Sequence, residues 1–141
     1  MSLAVVGLTT MAPGAWPAGE KLISKGASWL YLDDGSTPDS SWISPSFNDS
    51  LWPTGVAQLG YGDGDEATVL SFGTDAANKH ITTYFRHSFE VLDAPSVGGL
   101  ALRLLRDDGA VVYLNGVEVW RSNMPAGAIA SSTLAVAGIG G

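Results

Sequence analysis

The chain has no cysteine, so neither a disulfide nor a thiolate-held metal can staple its fold, and the redox compartment stays open. Charge is sparse at 15% of residues and leans one way: seven Lys and Arg against fourteen Asp and Glu give a formal net charge of −7. A surface of that sign repels phosphate backbones and anionic lipid, which argues against nucleic acid or a membrane as partner. No run approaches the roughly twenty apolar residues that cross a bilayer, and the stretch from Met1 to Ala15 lacks a basic leader region. The only histidines, His80 and His87, fall on either side of a strand start and cannot act as adjacent ligands on one element. A nucleophile elbow, a metalloprotease helix, a cysteine and histidine couple and rigidly supported paired carboxylates are all missing, so no catalytic residue is assigned and the chain is not expected to be an enzyme.

What is present points to strands. Hydrophobic residues make up 45%, and eighteen glycines and seven prolines interrupt the chain at short intervals. A length of 141 residues suits one domain, able to bury roughly 68% of its unfolded surface. Residues 1–20 read as a leader or linker adding at most one edge strand, and 21–141 as the domain. Leu22-Ile23 and Trp29 to Leu32 are strand-like and stop at the turn signal Asp33-Asp34-Gly35. From Ile81 to Val91 the alternation predicts a half-buried strand, with Ile81, Phe85, Phe89 and Val91 on one face and Thr82, Tyr84, Arg86, Ser88 and Glu90 on the other. Leu100, Leu102 and Leu104 repeat the pattern, and Ala110 to Leu114 is apolar on both faces, as a central strand would be. Asn115-Gly116 tolerates positive φ at both turn positions and predicts a two-residue hairpin onto Val117 to Trp120. Many short strands, no long repeat and frequent turns define the expected fold class: an all-β, antiparallel β-sandwich.

Three loop or edge regions carry candidate chemistry. Asp63, Asp65 and Glu66 stand in a glycine-rich loop whose flexibility would let Asp63, Asp65 and nearby carbonyls surround a structural calcium, with a solvated acidic loop as the plainer alternative. Asp107-Asp108-Gly109 reads first as a turn, with Arg106 neutralising one aspartate across it. Of five tryptophans, Trp29 and Trp52 are expected in the core, whereas Trp120 is placed on a face with Glu118 and partly exposed beside Arg121. Trp120, Arg121 and Asn123 form the candidate ligand-binding patch, suited to stacking on a sugar. His87 is expected in the core or an interface, and His80 in solvent.

Two runs carry a resemblance. Phe47-Asn48-Asp49-Ser50-Leu51-Trp52 resembles the aromatic, polar, Asp, Ser, any, Trp signature of sugar-binding jelly rolls that accompany glycoside hydrolases. The run from Arg106 to Gly116, with Val112-Tyr113-Leu114-Asn115-Gly116 at its heart, resembles the hairpin of galactose-binding-like domains. From Leu22 onward, including the segments Leu59 to Glu66, Ile81 to Arg86 and Asn123 to Gly127, the chain is similar to accessory modules of large secreted bacterial proteins, often beside metallophosphoesterase domains. That resemblance implies a galactose-binding-like jelly roll, an extracellular or cell-surface location within a larger precursor, and a non-catalytic carbohydrate-binding or accessory role. Such modules end in an Asn-hydrophobic-Ala-Val-Glu type strand with no counterpart after Gly138 to Gly141. The expectation is therefore a sandwich lacking its C-terminal strands, completed as a homo-oligomer or by a strand-complementing partner chain, with a structural or assembly role as the alternative function.

Overall fold

The computed structural model describes residues 2–10 and 21–138, with the backbone alone described for 2–10 and Ser96. The proposed linker 11–20 and the final residues 139–141 lie outside the described residues. The elements are β1 (Ser2–Thr10), β2 (Ser28–Leu32), β3 (Thr54–Val56), β4 (Leu59–Gly60), β5 (Thr68–Val69), β6 (Thr83–Val91), β7 (Ala110–Leu114) and β8 (Val117–Ser122). Two single-turn 3-10 helices, Ser40–Ile43 and Ala94–Ser96, interrupt the loops, and among the described residues there is no α-helix.

The main sheet has six strands in the order β3-β2-β6-β1-β7-β8, and β4 and β5 form a two-stranded ribbon. Its pairs are antiparallel at β2–β3, β2–β6 and β7–β8, as expected. Around β1 the sheet departs from a purely antiparallel plan, because β1 runs parallel to both β6 and β7. Residues 2–10, read from sequence as a leader with at most an edge strand, thus form an interior strand. Their composition, Leu3, Val5, Val6 and Leu8 among small residues and threonines, suits a strand with neighbours on both sides.

Buried clusters lie on both faces of β6 and β7, which gives the all-β, sandwich-like layering. On one face Trp42, Tyr84, Val111 and Met124 form a buried cluster, joined by Phe47, Trp52 and Tyr113. On the other, Leu70, Phe85 and Val112 are buried against Trp29, Tyr31, Leu59, Tyr61 and Leu104. Successive residues alternate faces in a strand, so Tyr84 and Phe85 enter opposite clusters, as do Val111 and Val112. Strand β6 is consequently not half-buried over its first part. Thr83, Tyr84, Phe85 and Arg86 are all buried, and only Ser88 and Glu90 are exposed.

Two expected strands do not form. Leu22-Ile23 lies in an irregular stretch before β2. Leu100, Leu102 and Leu104 keep their alternation, yet residues 100–106 pair with no strand among the described residues, and Leu100 and Leu102 remain half exposed. Alternation specifies a face, and it needs a neighbouring ladder to become a strand.

Candidate sites at the β8 edge and the acidic loop

The β7–β8 hairpin turns as its sequence requires, with Asn115 at φ 50° and Gly116 at φ 84°. Beyond the turn the register carries a surprise. Leu114 pairs with Val117 and Tyr113 with Glu118, but Val112 pairs with Trp120, leaving Val119 as the extra residue of a β-bulge. Paired residues share a face, and neighbouring residues of β7 do not. The bulge therefore sends Glu118 and Trp120 to opposite faces, correcting the expectation that they share one. Trp120 and Val117 fall on the Val112 side, and Glu118 and Arg121 fall on the side of Tyr113 and Val111. Strand β8 closes the sheet at one end, and there Val117, Val119 and Trp120 are 65%, 54% and 38% exposed.

The polar residues of the expected patch are engaged by the chain itself. Arg121 donates from Nε and Nη2 to the two carboxylate oxygens of Glu118, both at 2.7 Å. Its Nη1 donates to the carbonyls of Pro125 and Gly127. The Arg121 hydrogen bond holds the Glu118 carboxyl below its ordinary value, and the same bond raises the Arg121 guanidinium. Asn123, at φ 53°, donates from Nδ2 to the Asp108 carbonyl at 2.8 Å and the Ala137 carbonyl at 2.6 Å. Trp120 thus offers a partly open ring on one side, while Arg121 and Asn123 tie down the turn and the segment that follows.

The acidic loop joins β4 to β5. One carboxylate oxygen each from Asp63, Asp65 and Glu66 lies within 4.8 Å of the others, so the three can reach a common cation. Glu66 is also bound within the loop, accepting from the backbone N–H of Asp63 and of Gly64, both at 2.9 Å. The Asp63 N–H is the main cause of a Glu66 carboxyl held below its usual range. Asp63 and Asp65 are exposed. At the other acidic turn Asp108 adopts φ 55°, and Arg106 donates to the Asp108 backbone carbonyl.

Sequence reasoning missed a buried ion pair. Arg86 is 5% exposed, and its Nε donates to Asp49 at 2.7 Å while Nη1 donates to the Trp42 carbonyl. Its guanidinium also lies 5.2 Å from the centre of the Phe47 ring, which meets Trp52 edge-on at 5.8 Å. The Phe47 to Trp52 run therefore seats a loop on the sheet. The available signal was Arg86, the single cation in an otherwise apolar-alternating strand, together with the aspartate of the motif.

The two histidines are both anchored by backbone carbonyls. His80, expected in solvent, is half-buried, with Nδ1 2.9 Å from the Asp33 carbonyl. Its ring is wedged so closely between Gly35 and Gly73 that a Cβ on either would come within 2.7 and 2.8 Å of it. Glycine leaves the only room there. His87 lies 4.9 Å from the Trp29 ring, with Nδ1 2.8 Å from the Ser28 carbonyl.

Two open depressions mark the surface. One of about 280 Å³ is bordered by Val91, Ala94, Val97 and Leu100, and one of about 250 Å³ by Ser36, Lys79, His80, Thr82 and Ser131. Both fall below the range typical of small-molecule pockets. No helix among the described residues is long and apolar enough to cross a membrane. No protein-family model, no curated protein and no solved structure matches the chain.

Proposed function

We propose that the chain is a non-catalytic accessory module of the galactose-binding-like jelly-roll kind, carried by a secreted protein, and that it acts by contact through the open β8 edge. The observation that carries this reading is the exposed trio Val117, Val119 and Trp120 on a terminal strand. Among the described residues β8 pairs with β7 alone, and a terminal strand with apolar side chains along it suits strand addition by another polypeptide. The likeness of the Phe47 to Trp52 and Arg106 to Gly116 runs to that superfamily supports the fold-level part of the reading, and the step from fold to function is one of analogy.

Carbohydrate is the second ligand class, favoured by one specific feature. The Trp120 ring is 38% exposed, enough to present a face to a sugar's C–H surface. The two readings separate on Val119→Lys and Trp120→Ala. If protein is the ligand, a charge at Val119 abolishes the association seen by light scattering and glycan arrays stay blank. If sugar is the ligand, glycan binding survives Val119→Lys and disappears with Trp120→Ala. Loss of neither activity with either substitution overturns the edge as the working surface. A structural calcium at Asp63, Asp65 and Glu66 is tested separately, by a melting midpoint that rises with added calcium and falls back with chelator. An unchanged midpoint leaves Glu66 bound to its own loop as the full account of that turn.

A further inference from the structure

Strands β6 and β7 are the most buried of the strands whose side chains are described, and among the described residues they share no ladder with each other. Between them runs β1, with Ser2 to Thr10 in register against Thr83 to Val91 on one side and Ser2 to Val6 against Ala110 to Leu114 on the other. The space it fills is a slot with backbone donors and acceptors along both walls. Around it stand Tyr84, Phe85, Val111 and Val112, none more than 7% exposed. Such a slot cannot stand empty, because each unpaired buried N–H or C=O would carry the full cost of its lost hydration.

The bonds that hold β1 are backbone ladders, which any strand of like register can reproduce. Its covalent route to the next described residue, Lys21, spans eleven residue steps and so reaches at most roughly 36–40 Å. That is about the width of a domain of this size, enough for the strand of one copy to reach a slot in its neighbour. We infer that the β6–β7 slot is a strand acceptor and that its occupant can be supplied in trans, by the Ser2–Thr10 strand of a second copy. Exchange of an identical element leaves every ladder bond intact, so the swapped and unswapped forms differ in which copy supplies the strand, and mass action sets their ratio. This is independent of the β8 edge.

The chain's lack of cysteine gives a direct test. Thr9 pairs with Glu90 and Gly7 with Ser88, and both Glu90 and Ser88 are exposed. Neighbouring strands lie about 5 Å apart, within disulfide range. In dilute solution the double variant Thr9→Cys/Glu90→Cys should close its bond within one chain. When full-length Thr9→Cys chains are mixed with Glu90→Cys chains, concentrated and oxidised, a heterodimer joined by a disulfide between the two introduced thiols should form, its yield rising about tenfold over a tenfold rise in concentration while exchange is sparse. The Gly7→Cys/Ser88→Cys pair repeats the test should the first variants fold poorly. Closure in the double variants with no heterodimer from either mixture overturns trans supply, and failure of both double variants to close overturns the register itself. Val119→Lys should leave the heterodimer unchanged, so the two surfaces fail or succeed separately.

Discussion

Arg86–Asp49 and Arg121–Glu118 are ion pairs of the same length, 2.7 Å, in different surroundings. The first has side chains 6% and 26% exposed and reaches across 37 residues of sequence, and the second has side chains 21% and 33% exposed and joins two residues three positions apart within β8. Equal geometry does not make them equal. Water competes for the Arg121 and Glu118 charges and salt screens them, whereas Arg86 has exchanged its hydration for one carboxylate, one carbonyl and the Phe47 ring. The inner pair is a condition of folding for the loop it holds, and the outer pair trims a hairpin end.

The largest expected effect follows from breaking the inner pair. Asp49→Ala leaves a buried guanidinium short of its counter-charge and should lower stability by about 3 kcal/mol, near the low end for buried pairs because Asp49 keeps some exposure. Chemical denaturation measures it, and a loss under about 1 kcal/mol would mean that Arg86 finds another partner or reaches water. The comparison is sharpened by Asp49→Ala combined with Arg86→Met, which removes both charges and should recover at least half of the single loss. If the double variant is instead worse than the sum of its parts, the pair acts through packing and not through charge. Breaking the outer pair with Glu118→Gln should move the melting midpoint by no more than about 3 °C, and roughly 1 M salt should erase the difference. The Asp49→Ala deficit should persist in the same salt.

Acid provides the smallest and most distributed contrast. Glu118 is held below its ordinary value of 4.5 by the hydrogen bond from Arg121, and Glu66 by the Asp63 N–H. Asp34, Asp39 and Asp75 are held below 3.8 by hydrogen bonds from Ser36, Ser41 and Asn78. A carboxyl whose folded value is depressed contributes stability above its unfolded value and loses it as pH falls through the folded one. The melting midpoint should accordingly stay flat above about pH 5 and decline below about 4. Glu118→Gln should make that decline slightly shallower, and an identical acid limb would show that the outer pair adds nothing.

Legibility in the sequence followed the range of the interaction that decides each element. The hairpin from Ala110 to Ser122 could be read because Asn115 and Gly116 fix its turn locally, and β6 because its alternation runs for nine residues. Arg86 was assigned to an outer face since only a loop 37 residues away, carrying Asp49, makes its burial tolerable. The Val119 bulge was invisible for a related reason: one added residue reverses the facing of Trp120 relative to Glu118, and no local preference announces it. Leu100 to Leu104 shows the converse failure, a sound pattern that finds no neighbour to pair with among the described residues. As to the candidate patch, the exposure of Trp120 was readable, whereas the engagement of Arg121 and Asn123 depended on carbonyls of Pro125, Gly127, Asp108 and Ala137 brought close by the fold.

The single inserted residue at Val119 also divides the hairpin into two zones of different tolerance to change. Toward Ser122, alterations disturb contacts that anchor the segment running on to Ala137, while outward from the bulge they alter little but the solvent-facing strip. A protein engineer could randomise Val117 and Val119 together as a display surface and keep the scaffold beneath unchanged.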